Sequence, residues 1–174
     1  MFFSQYVDGG DGRIVLQLFY NRECDLSHKI EGYELEVHQF MKNTNRMNVS
    51  SIALYPVNPL IPYLIINSIF YDFMDVTNVS YFNQEGHFYN PSEFNTVAYV
   101  LKYHGTVVDV LGEPHSQDQL FPQGGTFVRK QGITCGSPVF NQQMSELLTR
   151  KVLINMWAGI HLSCVYWSET SHSL

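Results

Sequence analysis

Apolar residues recur at every second position in several short runs of this chain. In "RIVLQLFYN", residues 13–21, Ile14, Leu16 and Leu18 share one face, while Arg13 and Gln17 share the other. In "GYELEVHQF", residues 32–40, Tyr33, Leu35 and Val37 alternate with Glu34, Glu36 and His38. A period of two places successive side chains on opposite faces of a pleated backbone, so both runs predict half-buried strands. "FFSQYV" at 2–7, "NVSSIALYPV" at 48–57, "IPYLIINS" at 61–68 and "GGTFVRK" at 124–130 predict four more. Pro56, Pro59 and Pro62 have no N–H to give a ladder, which assigns them to strand ends or an edge.

The run "EFNTVAYVLKYHGTVVDVLG", residues 93–112, predicts a hairpin turning at His104-Gly105. A two-residue type I′ turn needs positive φ at both positions, which Gly takes freely and His more readily than most residues. Regular pairing from that turn sets Tyr103 against Thr106, Leu101 against Val108 and Tyr99 against Val110. It leaves Lys102 and Asp109 together on a solvated face. "DGGDG", residues 8–12, reads as the turn between the first two strands. Residues 67–92 mix aromatic and polar residues without a clean period and predict a loop carrying one short strand. Only 141–157 offers helical spacing, through Met144, Leu147, Leu148 and Lys151, with Asn141 or Ser145 as the cap. The β-branched residues in its second half favour a strand there. The pattern predicts an all-β sandwich of about eight or nine strands, with room for one short C-terminal helix. It forms a single domain, 1–174, in which 141–174 is the least defined part.

Composition supports this picture. Hydrophobic residues make up 45% and charged residues 15%, which excludes a disordered chain. The 12 Phe and 11 Tyr suit half-buried strands. Sixteen acidic residues against ten basic give a net charge of -6, with no basic cluster. Nucleic-acid binding through this domain alone is therefore disfavoured. The longest apolar stretch, "NPLIPYLIINSIFYDF", is interrupted by prolines and too short to span a bilayer.

Candidate chemistry is sparse. Cys24, Cys135 and Cys164 form no CxxC pair, so no zinc site is indicated and at most one disulfide can form. Small buried or half-exposed residues is the plain reading of all three. Asp8 and Asp11 in "DGGDG" are the two carboxylates a cation would use, but the loop lacks EF-hand spacing and its closing Glu. A solvated turn is the simpler account. None of the seven histidines stands in a nucleophile-elbow context. No catalytic, cofactor or metal residues are assigned, and no cofactor is expected. Asn48 and Asn78 each head an Asn-Val-Ser sequon. Phe70, Tyr71, Phe73, Tyr81, Phe82, Phe88 and Tyr89 are the candidate partner contacts, because aromatic loops supply large contact area at low entropic cost.

Four segments in order resemble the lamin-tail domain family: "FFSQYVDGG" with "LQLFYN", then "KIEGYELEV", "NTVAYVLKYHGTVVDVLG" and "TFVRKQGITCG". Gln17 and His104 stand where family members commonly carry Glu and Asn, and "MWAGIHL" only loosely echoes the family's closing segment. The resemblance implies an immunoglobulin-like sandwich without enzymatic activity. It implies a structural or interaction module that binds a protein or glycan through loops or a sheet edge. In nuclear lamins such a domain binds nuclear partners. In bacterial proteins it is usually secreted or surface-attached, often beside nuclease or phosphoesterase domains. The alternatives are an accessory domain of a secreted hydrolase and a self-assembling surface or capsid-like protein. These are fold-level expectations.

Overall fold

A computed structural model describes residues 1–8, 14–21, 31–56, 62–67, 84–86, 94–118 and 125–148. The fold is an all-β sandwich of two sheets. In chain order the strands are β1 (Phe2–Asp8), β2 (Ile14–Phe19), β3 (Tyr33–Met41), β4 (Arg46–Ala53), β5 (Tyr63–Asn67), β6 (Gln84–Gly86), β7 (Phe94–Tyr103), β8 (Thr106–Gly112), β9 (Thr126–Arg129) and β10 (Ser145–Leu148). One sheet runs β10-β9-β1-β2-β5-β6 and the other β4-β3-β7-β8. Neighbours are antiparallel except β5 and β6, which are parallel.

The period-two runs become the strands they predict. Tyr33, Leu35 and Val37 are buried while Glu34, Glu36 and His38 are only partly so. Ile14, Leu16 and Leu18 enter the core between the sheets. Val15 is also buried, in a small cluster with Val7 and Ile66 on the other face, so β2 is covered on both sides. Across the core, the Tyr6 ring of one sheet meets the Tyr99 ring of the other at 5.8 Å between centroids.

His104 and Gly105 form the hairpin turn, both with positive φ (46° and 80°). His104 has a second role. Gly32 has φ +90°, and a Cβ there would lie 2.5 Å from His104 Cε1. The His104 N–H also donates to the Gly32 carbonyl at 3.0 Å. The imidazole therefore lies over a residue with no side chain, binding the turn to the start of β3.

Two expectations need correction. The regular hairpin register holds only as far as Lys102↔Val107; a bulge at Val108 then shifts it, giving Leu101↔Asp109 and Tyr99↔Leu111. Residues directly opposite share a face, so one extra residue turns Asp109 from solvent into the core. The second concerns 141–157. Residues Gln142–Met144 make a single 3₁₀ turn, capped by Asn141 Oδ1 accepting from the Gln143 N–H at 2.9 Å. The chain then enters β10, where Leu147 pairs with Phe127. Tertiary pairing along β9 overrides a local pattern too short to hold a helix by itself. Residues beyond 148 lie outside the described part.

Candidate functional site

The hairpin bulge builds a buried polar site around Asp109. Asp109 is 0% exposed, and the side chain of Arg129 on β9 is 7% exposed. Asp109 Oδ2 accepts from the Phe3 N–H at 2.8 Å and also from the Arg129 guanidinium. Asp109 Oδ1 accepts from the Ser137 N–H at 2.9 Å. Arg129 Nε donates to the Phe3 carbonyl at 3.0 Å, and its guanidinium stands 5.7 Å from the Phe2 ring centroid. Because β1 pairs with β9 only over Gln5–Val7, this side-chain pair takes up both backbone groups of Phe3 beyond the ladder's end. The site joins β8 of one sheet to β1 and β9 of the other. The expectation that Lys102 and Asp109 form a solvated pair is thus overturned.

Burial pushes the Asp109 carboxyl up, while Arg129 and the two N–H donors pull it back; it stays above its ordinary value. Removing one partner of a buried ion pair is strongly destabilising, because the other charge is left uncompensated. Both Asp109 oxygens accept from protein donors, and the residue is 0% exposed.

Lys102 instead bonds Glu36 Oε1, and His38 Nε2 donates to Glu36 Oε2 at 3.2 Å. Burial would raise the Glu36 carboxyl, but the hydrogen bonds and charges of Lys102 and His38 outweigh it and hold the group below its ordinary 4.5. A lowered folded-state value contributes stability above the unfolded value and loses it as pH falls through the folded value. Glu36→Gln should therefore be less stable at pH 7 by up to about 1 kcal/mol. The difference should close below pH 4.5. Urea melts at several pH values check this, and a gap of constant size across that range would contradict it.

At the far end of β1, Asp8 is buried, and its charge adds to burial in raising the Tyr6 and Tyr99 hydroxyls. Asp11, the other carboxylate of "DGGDG", lies outside the described residues. Among the described residues no three His, Cys, Asp or Glu side chains gather as a metal site. In the same residues no helix is long and apolar enough to cross a membrane. The candidate contacts Phe70, Tyr71, Phe73, Tyr81, Phe82, Phe88 and Tyr89 all lie outside the described residues. The short strand expected within 67–92 is β6.

The surface feature that sequence reading left unspecified is β4. Among the described residues it pairs with β3 alone, at one edge of its sheet. Its outward residues include Val49, 49% exposed, and Met47, 39% exposed. Arg46 is the only charged residue in the strand. Among the described residues no further strand pairs with β4 over Arg46–Ile52, and a strand edge of this kind is where an added strand can pair. Comparison with family models, with curated proteins and with solved structures finds no match for this chain.

Proposed function

We propose that this chain is a non-enzymatic interaction module of the lamin-tail, immunoglobulin-like type. In this reading it binds an extended segment of a protein partner along β4. The β4 edge over Arg46–Ile52 is the observation that carries the proposal: among the described residues it pairs with β3 alone, it is charged only at Arg46, and Met47 and Val49 are exposed on it. The family reading is supported by where its segments fall: "FFSQYVD" is β1, "LQLF" lies in β2, "YELEV" opens β3, the hairpin is β7 and β8, and "TFVR" is β9. The charged residues Asp109, Arg129, Glu36 and Lys102 are engaged with one another in pairs that brace strands.

Peptides selected against the purified chain from a random displayed library test the proposal. The selected peptides should bind in extended form, and Met47→Lys with Val49→Lys should weaken them at least about tenfold, since edge lysines block strand addition. Unchanged binding by that variant, with its circular dichroism preserved, would remove β4 as the site. Selection that yields no binder would remove the interaction reading itself.

A further inference from the structure

Of the two Asn-Val-Ser sequons, the first lies in a described strand: Asn48, Val49 and Ser50 all stand within β4. Asn48 pairs with Gln39 and Ser50 with Val37, so their side chains share the inner face, while Val49 points outward beside His38. Gln39 and Val37 are 0% and 1% exposed, whereas Asn48 and Ser50 are half-buried. The solvent that Asn48 reaches therefore lies on its side away from β3, past the border of the sheet.

Asn21 and Asn95, which head no sequon, commit their side-chain amides to the carbonyls of Thr134 and Gln117. Among the described residues no such bond holds the Asn48 amide, so a substituent on its nitrogen displaces no partner. β4 itself has no proline and only Arg46 as a charge, which is little of the protection that edge strands usually carry. Cys135 is disulfide-bonded, which replaces the plain reading of the three cysteines as unlinked residues. Disulfides persist in oxidising compartments, the endoplasmic-reticulum lumen among them. Sequons are read in chains that take that route.

We propose that Asn48 carries an N-linked glycan and that this glycan controls access to the β4 edge. The modification is a group transfer from a lipid-linked oligosaccharide. The Asn48 amide nitrogen bonds the anomeric carbon of the first sugar, the bond from that carbon to the lipid diphosphate breaks, and the amide gives up one proton. An added strand would lie about 4.8 Å from β4. Its residue opposite Asn48 would point to the same face. Sugar and strand then compete for one space, so the glycosylated chain has a covered edge and the bare chain an accepting one. This second half rests on the proposed role of β4 as a strand-accepting edge; the modification does not.

The full chain secreted from a glycosylating eukaryotic host, with a bacterial periplasmic preparation as the bare form, tests both halves. Trypsin releases Asn48 in peptide 47–102, which also holds Asn78. Peptide N-glycosidase turns a glycosylated Asn into Asp, and fragmentation should place that mark at Asn48, the second residue of the peptide. Ser50→Ala should abolish the mark and Ser50→Thr should keep it. Peptides selected on the bare chain should bind the glycosylated chain at least about tenfold more weakly, and enzymatic removal of the glycan should restore them. An unmodified Asn48 in a host that glycosylates a control protein overturns the proposal. Equal binding with and without the glycan overturns the gate and leaves β4 as a peptide site. Selection that yields no binder removes the β4 site and the gate together, while the mass at Asn48 still decides the modification. Should Ser50→Ala fail to fold, enzymatic removal from the folded wild-type chain supplies the bare form.

Discussion

Asp109→Ala is expected to lose about 3–5 kcal/mol of stability, read as a large drop in the urea midpoint. The loss has three parts. Arg129 is left charged and buried, since its side chain is only 7% exposed. The Phe3 and Ser137 N–H groups lose their acceptor. A cavity also opens between β1 and β8. Unsatisfied buried polar groups cost more than the hydrogen bonds contribute when made, so truncation should exceed the worth of the pair itself. The double variant Asp109→Leu with Arg129→Met separates these quantities. It removes both charges and fills the cavity, and should recover those two parts of the loss, while the Phe3 and Ser137 N–H groups stay without their acceptor. A single-variant loss under about 1 kcal/mol would show that the pair is reached by water and does not bind the sheets together.

The same comparison has a pH signature. The folded-state value of Asp109 is raised, with burial as the largest cause. A raised carboxyl contributes stability while it is protonated and loses that contribution as pH rises through its folded value. The wild-type chain therefore carries a slope in this region that the double variant lacks. Relative to wild type, the double variant should gain stability as pH rises from the ordinary carboxylate value of 3.8 towards neutrality. Glu36 acts in the opposite direction, because its partners lower its value. Among the described residues these two carboxylates thus act in opposite directions, one on a sheet face and one between the sheets.

Sequence pattern shows most of the scaffold because period-two alternation is a local property. β1, β2, β3 and β9 can each be read from their own residues, and the turn at His104-Gly105 from its backbone requirement. What the pattern does not contain is the bulge. "TVVDVLG" alternates no differently whether Asp109 faces solvent or core, and only the bulge at Val108 decides it. The buried site was illegible for that reason: Asp109, Arg129, Phe3 and Ser137 come from four separate segments and meet only in the sandwich. β10 was obscured by another cause, since Met144, Leu147 and Leu148 fit a helical face as well as a strand. The β4 edge is legible as a strand, but its being an edge depends on sheet order, which alternation does not encode. Cys135 is disulfide-bonded, and that too is a product of the fold, because the sequence offers three cysteines with no spacing that selects a pair.

Gly136→Ala is expected to cost about 1–3 kcal/mol, the usual range for overpacking a fitted interior. The added methyl would stand 2.5 Å from the Val108 carbonyl oxygen, 2.7 Å from Asp109 Cβ and 2.9 Å from its Cγ. None of these is the free end of a flexible chain. Val108 is the bulge residue, held by pairing on both sides of it, and Asp109 is fixed by its bonds to Phe3, Ser137 and Arg129. Relief therefore requires the segment of Gly136 and Ser137 to lift from β8, lengthening the Ser137 contacts to Asp109 and Val110. The cost should fall only in part in Asp109→Ala, which removes the Cγ contact but leaves the Val108 carbonyl oxygen at 2.5 Å and Cβ of residue 109 at 2.7 Å. Urea melts of Gly136→Ala, Asp109→Ala and the double variant measure that coupling. A double variant that loses less than the sum of the two would show that the carboxylate adds to the crowding, whereas losses that simply add would show that the Val108 backbone and the Cβ of residue 109 set the cost alone.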